Sequence, residues 1–324
     1  MATAACRELR VFESLKRAAC VLSAVAGMLA PLPGLAAAEG FFGRPEIQGV
    51  ASLVIPGSGQ FLQSNNLEGG LYLGAWTTSV LAANYYRNQD DFLAGDERFD
   101  DDREIQFYNQ TTLRYDVFAL AATDIALYSG YAAYRDGRAA TGNEGYSTPA
   151  PHEGLKELAL APFQLDYLTR PTTFVPLLLV GAALSQTSPG DPNDGLYEIR
   201  YTDDVNETLL NLYYTVGIGM GPGVSEEAFF RGFLNNHFSH QYGRWGGLAL
   251  SSSLFALGHL GEGNQADALT AGIFGAYVGL LQQRNGYAIG EGVAIHFWSN
   301  FLSGLAALQR GGPVEDLLTF AIEF

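Results

Sequence analysis

The stretch "GVSEEAFFRGFL", residues 223–234, places two adjacent glutamates and an arginine among Phe, Ala, Gly and Leu. A charged side chain among apolar neighbours costs on the order of several kcal/mol unless it is paired or hydrated, so such residues are usually retained for function. If this stretch is helical, Glu227 and Arg231 are i,i+4 neighbours that can pair. Glu226 points about 100° away from that pair, which leaves its carboxylate for other chemistry.

Charge and apolar residues are segregated along the chain. Hydrophobic residues make up 48% of the 324 positions, while acidic residues crowd into "NQDDFLAGDERFDDDRE" (88–104) and "SPGDPNDGLYE" (188–198). The nearly uncharged stretches between such loops predict an all-α fold, a polytopic transmembrane bundle of about eight helices in a lipid bilayer. The net charge of −16 argues against nucleic acid as a partner, because phosphates need Lys and Arg.

The N-terminus has the pattern of a signal peptide over residues 1–38. Basic residues, among them Arg7 and Arg17, precede the apolar run "AACVLSAVAGMLA", and Ala36 and Ala38 fit a small-residue cleavage site. We expect cleavage after Ala38, with an uncleaved membrane anchor as the alternative. Both cysteines lie in this segment, so the mature chain would hold no disulfide and no cysteine metal ligand.

A linker-like stretch, "TGNEGYSTPAPHEG" at 141–154, separates two parts of the chain. We predict an N-terminal membrane hairpin module at 39–140 and a second membrane module at 152–310. Basic residues are most frequent in the connection between 135 and 170, which predicts that this loop faces the cytoplasm.

Two further polar patterns interrupt the C-terminal helices. "FALGH" places Phe255 and His259 one helical turn apart, and "HFWSN" does the same for His296 and Asn300. Each pattern alone is also typical of packing histidines or hydrogen bonds between helices. Together with Glu226 they suffice for amide hydrolysis. A carboxylate can act as general base on water, an imidazole can orient that water or donate a proton, and His plus Asn can bind the developing oxyanion.

The ordered motifs EExxxR, FxxxH and HxxxN resemble those of the CAAX protease and bacteriocin-processing (CPBP) family of intramembrane endopeptidases, over about residues 155–310. The resemblance implies an all-helical membrane fold with a polar cavity open to one leaflet. It also implies an intramembrane protease that cleaves a membrane-associated protein or peptide. We expect no cofactor, because a carboxylate and two imidazoles can activate water and bind an oxyanion without metal.

The resemblance assigns a role to each motif residue. Glu226 activates water with help from His259, and His296 with Asn300 forms the oxyanion site. Structural support of the site falls to Glu227, Arg231 and Phe255.

Two alternatives stay open. A non-catalytic scaffold or immunity-like protein would keep the fold and cleave nothing, although such a protein has little physical reason to retain a carboxylate like Glu226 beside apolar helices. A zinc protease would use His259, His296 and a glutamate as ligands, yet the chain shows no HExxH spacing. The signal segment and the Arg-rich, Lys-poor composition favour a bacterial inner-membrane protein, for which the prenylated CAAX substrates of eukaryotic family members are not expected.

Overall fold

The computed structural model describes residues 40–93, 105–142, 144–185, 198–260 and 265–313. The predicted signal peptide at 1–38 and its cleavage site lie outside these residues, as does most of both acidic stretches.

Helices dominate the described chain, as the all-α prediction requires. The first half begins with a short 3₁₀ turn at Phe41–Gly43, and a second 3₁₀ turn at Ala161–Phe163 joins α5 to α6. Its helices are α1 (Pro45–Val54), α2 (Ser58–Leu62), α3 (Asn66–Arg87), α4 (Gln110–Thr141), α5 (Leu155–Leu160), α6 (Leu165–Leu168) and α7 (Pro171–Ser185).

The second half contains a long helical run with two widened turns. Its elements are α8 (Glu207–Leu212), a first π-helical segment (Tyr213–Gly217), α9 (Ile218–Glu226), a second π-helical segment (Glu227–Asn235), α10 (Asn236–Gly258), α11 (Gln265–Arg284) and α12 (Gly290–Arg310). Helix α10 is kinked at Gly243. The EExxxR motif was expected in an ordinary α-helix, but most of it lies in the second π-helical segment, and such widened turns are frequent at functional sites.

A small parallel sheet accompanies the helices and was not predicted. Strand β1 (Ile105–Tyr108) pairs with β2 (Glu198–Tyr201), and β2 pairs with β3 (Gly312–Pro313). Each strand has only two to four residues. Strand β1 directly follows the first acidic stretch, and β2 begins at the last residue of the second. Runs this short carry too few alternations to give a strand pattern in the sequence.

The described helices are less apolar than the sequence analysis expected. Within the described ranges, no helix is both long enough and apolar enough to cross a membrane. The longest, α4, has 32 residues but carries charged residues such as Asp116, Asp124 and Arg135. The strongly apolar α7 has 15 residues, whereas a span needs roughly 20. The predicted transmembrane spans are therefore not observed among these helices.

Packing divides the chain into two compact units, and each combines early and late segments. Unit 1 takes its described residues from 1–69, 129–152 and 228–288, and unit 2 from 70–128, 153–227 and 289–324. The predicted module boundary between 140 and 152 stays a prediction.

Helix α12 is the central helix of unit 2. It packs against α9, α7 and the 3₁₀ turn that follows α5. The sheet lies over an apolar cluster in the same unit, in which Tyr214 Oη donates a hydrogen bond to Tyr108 Oη at 2.7 Å. The buried members of this cluster are Tyr108, Leu113, Ile199, Val205, Leu210, Tyr214 and Ala307. In unit 1, the corresponding close helix pair is α10 with α11.

Candidate active site

Small residues allow α9 to pack closely on α12 in unit 2. A Cβ atom built on Gly219 would lie 3.1 Å from Phe297 Cδ2, and one on Gly223 would lie 3.3 Å from Phe297 N. Both distances are tighter than nine in ten real Cβ contacts. The glycines of "GMGPG" (219–223) therefore let the two helix backbones approach, which brings the end of α9 close to the HxxxN motif on α12.

Buried carboxylates fix the N-terminal end of α12. Glu291, whose exposed fraction is 2%, accepts hydrogen bonds from Arg170 Nη1 at 2.7 Å and from Thr173 Oγ1 at 3.3 Å. The hydrogen bond to Glu291 raises the pKa of the Arg170 guanidinium above its ordinary value. Glu153 accepts the backbone N–H of Gly290 at 2.9 Å, and such carboxylates stabilise the positive end of a helix. These contacts fix the position of the N-terminal end of α12. The sequence gives no local signal for them, because each joins residues more than a hundred positions apart.

His296 lies between the two glutamates of the EExxxR motif. Its Nδ1 is 2.8 Å from Glu227 Oε1, and its Nε2 is 3.9 Å from Glu226 Oε2. A carboxylate oxygen accepts the Nδ1–H, so Glu227 fixes the orientation of the ring and directs Nε2 toward Glu226. The separation of Nε2 from Glu226 is longer than a hydrogen bond.

The two glutamates differ in their contact with solvent. The Glu227 side chain is fully buried, whereas the Glu226 side chain keeps an exposed fraction of 21%. Helical spacing in the sequence predicts that Glu227 can pair with Arg231. Within unit 2 the observed partner is His296, which is 69 positions away and gives no local signal in the sequence. Pairing of Glu227 with Arg231 stays a prediction.

Asn300 lies one turn after His296 on α12 and contacts the backbone of α9. Its Nδ2 donates a hydrogen bond to the carbonyl oxygen of Ile218 at 3.1 Å. In a regular helix this carbonyl would accept the N–H of residue 222, but Pro222 has none. Asn300 therefore uses one of its two amide hydrogens to bond a backbone carbonyl that Pro222 leaves without a donor from the helix.

In unit 1, the ring of Phe255 contacts both Arg231 and His259. The Arg231 guanidinium lies 4.1 Å from the ring centroid, and the His259 ring lies 4.5 Å from it. The predicted proximity of Phe255 and His259 is thus confirmed. His259 Nδ1 is also 2.8 Å from the carbonyl oxygen of Phe255. Because a carbonyl can only accept, Nδ1 carries the hydrogen and Nε2 is the nitrogen that can accept a proton.

The structure places the predicted site residues in two sets. Unit 2 contains Glu226, Glu227, His296 and Asn300, and unit 1 contains Arg231, Phe255 and His259. Among the residues that the structure describes, no three His, Cys, Asp or Glu side chains are grouped so that they could hold a metal ion. The catalytic roles and the independence from zinc stay predictions.

Comparison with known proteins identifies one family. Residues 208–302 match the family model described as type II CAAX prenyl endopeptidase Rce1-like. This confirms the resemblance for that segment, which is less than a third of the chain and contains every predicted site residue. No curated protein and no solved structure matches the chain.

Proposed function

We propose that the chain is an endopeptidase that hydrolyses peptide bonds in a membrane-associated protein or peptide. The observation that carries the proposal is the position of His296, in contact with Glu227 and 3.9 Å from Glu226. The matched family supports the same reaction class, since its description names an endopeptidase.

Glu226 is the general base in this proposal. Its partly exposed carboxylate can meet both water and substrate, whereas the buried Glu227 cannot. Glu226 takes a proton from water while the water oxygen forms a bond to the carbonyl carbon of the substrate. The proton then passes from Glu226 to the amide nitrogen as the C–N bond breaks, which returns the carboxylate to its starting state.

Glu227 orients His296, as the carboxylate of a catalytic triad orients its histidine. The Nδ1–H of His296 is directed at Glu227, so a neutral ring would present Nε2 without a hydrogen. Donation from Nε2 to the oxyanion therefore requires the imidazolium form of His296.

Asn300 and His259 complete the proposal. The second N–H of the Asn300 amide would donate to the oxyanion while the first bonds Ile218. His259 would orient the attacking water through Nε2. This role of His259 is proposed from the family resemblance alone.

We also propose that unit 2 contacts lipid in the bacterial inner membrane. The segment from α5 to α7 presents apolar side chains that are about half exposed or more, and exposed apolar patches mark membrane or protein contacts. These side chains are Leu155, Leu160, Phe163, Leu165, Phe174, Val175, Leu178 and Leu179. Co-flotation of the purified protein with lipid vesicles tests this contact, and protein that stays at the bottom of the gradient contradicts it.

The decisive experiment compares cells that produce the wild-type protein with cells that produce Glu226→Gln at the same level. Mass spectrometry of membrane and secreted peptides should show cleavage products that depend on the wild-type protein. Identical peptide sets would favour the non-catalytic scaffold or immunity-like protein. The products found define a fluorescence-quenched peptide for assays with purified protein.

The zinc alternative is tested with that peptide. We expect cleavage to continue after chelation, because a carboxylate and two imidazoles can activate water and bind an oxyanion without metal. Stoichiometric zinc in the purified protein, whose removal abolishes cleavage and whose return restores it, would establish the metalloprotease instead.

A further inference from the structure

Asp124, on α4, contacts the last turn of α9 within unit 2. Ser225 Oγ donates a hydrogen bond of 2.6 Å to Asp124 Oδ1. Ser225 is buried and immediately precedes Glu226. Asp124 lies outside the segment that matches the endopeptidase family, so the family motifs assign it no role.

The second oxygen of Asp124 lies against the α9 backbone. A Cβ atom built on Gly221 would lie 2.0 Å from Asp124 Oδ2, which is closer than real Cβ contacts come. Gly221 and Ser225 are one helical turn apart, so the carboxylate of Asp124 covers one turn of α9. That turn is the one that leads directly into Glu226.

We propose that Asp124 is a positioning residue for the Glu226 general base and acts through Ser225. The proposal rests on the proposed function of Glu226. The Asp124 side chain offers Ser225 a hydrogen-bond acceptor whether it is ionised or protonated. The α-helix ends at Glu226, where the π-helical segment begins, so the regular hydrogen-bond ladder changes at this residue.

Loss of the hydrogen bond between Asp124 and Ser225 should have a measurable effect on the rate of cleavage. A displacement of about 1 Å in a catalytic group can lower a rate by roughly a hundredfold. An apolar residue at 124 would fill the space against α9 without the cost of burying a carboxylate, yet it could not accept the Ser225 hydrogen bond.

The first test measures kcat and KM with the fluorescence-quenched peptide. We expect Asp124→Ala to lower kcat by about 10- to 100-fold and to leave KM within about twofold, since the base and not substrate binding is disturbed. Asp124→Asn should restore most of the rate, because its amide oxygen still accepts from Ser225. Thr123→Ala, an exposed change on the same turn of α4, is the matched control and should match the wild type.

A suppressor experiment tests the contact with Gly221. Gly221→Ala should lower kcat, because its Cβ would displace the Asp124 carboxylate. In the Asp124→Ala background the same change should cause little additional loss. Equal losses in the two backgrounds would show that Gly221 acts independently of Asp124 and would contradict the proposal.

Backbone hydrogen exchange of the segment 219–227 gives a second readout that needs no cleavage. We expect faster exchange in Asp124→Ala and Ser225→Ala, and wild-type exchange in Thr123→Ala and Glu226→Gln.

If the wild-type protein cleaves the peptide and folded Asp124→Ala cleaves it equally fast, the positioning role alone is wrong. Asp124→Asn that is as slow as Asp124→Ala, at an unchanged melting temperature, excludes the route through Ser225. If wild-type and Glu226→Gln proteins are equally inactive, the proposed function is wrong and the positioning role with it.

Discussion

Two buried polar clusters, one in each unit, differ in what their side chains can do. In unit 1 the fully buried Arg138 donates through Nη1 to Tyr134 Oη at 3.0 Å and to Asn236 Oδ1 at 3.1 Å. Its Nη2 donates to the carbonyl oxygen of Thr148 at 2.9 Å. Asn236 Oδ1 also accepts from Tyr134 Oη at 2.9 Å. These groups hold one another in place inside the unit.

In unit 2 the cluster around His296 is only partly enclosed. Glu227 is buried and orients the ring, but Glu226 reaches solvent and stands beyond hydrogen-bond distance from Nε2. A polar cluster closed on itself stabilises the fold, whereas one that ends in an accessible carboxylate can react with a substrate. Substitutions in the two clusters should therefore separate stability from activity.

The largest expected effect is that of Glu226→Gln. The amide keeps the shape of the side chain but cannot accept a proton, so kcat should fall by roughly 10²–10⁴-fold. The melting temperature should stay within a few degrees of the wild type, because the side chain is partly exposed. Calorimetry and the quenched-peptide assay measure both quantities. A variant with nearly wild-type kcat shows that Glu226 is not the base.

Asn236→Ala should give the opposite result in unit 1. The change removes the acceptor for both Arg138 and Tyr134, and a hydrogen bond to a charged group contributes about 1.5–3 kcal/mol. We expect the free energy of unfolding to fall by roughly 3 kcal/mol while the kcat of the folded protein stays within about twofold. Denaturant titration measures the first quantity.

Ser147→Ala is the control in the same unit. It removes only exposed hydrogen bonds to His240, so it should change the free energy of unfolding far less and leave kcat unchanged. A large loss of kcat in folded Asn236→Ala would contradict the separation between the clusters.

Local patterns in the sequence predicted the helical class, because helical spacing depends only on near neighbours. Phe255 and His259 lie one turn apart as predicted. The contact of Glu227 with His296 and that of Asp124 with Ser225 join residues 69 and 101 positions apart, so no periodicity reports them. The two π-helical segments and the short strands were missed for a related reason. Each involves too few residues to change a periodic pattern.

Glu227→Gln should have an intermediate effect that sharpens the comparison of the two glutamates. The amide oxygen can still accept from His296 Nδ1, but a neutral acceptor forms a weaker hydrogen bond than a carboxylate does and holds the ring less firmly. We expect kcat to fall by roughly 10- to 100-fold, less than for Glu226→Gln, because Glu227 acts through His296.

Glu227→Ala is the companion variant, since it removes the acceptor. It should also lower the free energy of unfolding by about 1–3 kcal/mol. If folded Glu227→Gln loses more kcat than folded Glu226→Gln does, the assignment of base and orienting residue is reversed.

The smallest expected effect concerns the carbonyl oxygen of Ile218. It accepts a hydrogen bond from Asn300 but none from Pro222, which has no backbone N–H. Asn300→Ala leaves this acceptor without its side-chain donor, and we expect the free energy of unfolding to fall by about 1 kcal/mol. Pro222→Ala supplies a backbone N–H four residues after Ile218, so the same Asn300→Ala change should cost almost nothing in that background.

A double-mutant cycle, measured by denaturant titration of the wild type, both single variants and the double variant, gives the coupling between Asn300 and Pro222. Stability and rate should respond differently across this cycle. If the second N–H of Asn300 binds the oxyanion, Asn300→Ala lowers kcat by the same factor whether residue 222 is proline or alanine, because a helix hydrogen bond does not replace a donor to substrate. A rate loss that disappears together with the stability loss in Pro222→Ala would show that Asn300 only supports α9. A coupling near zero would show that the carbonyl of Ile218 does not depend on Asn300.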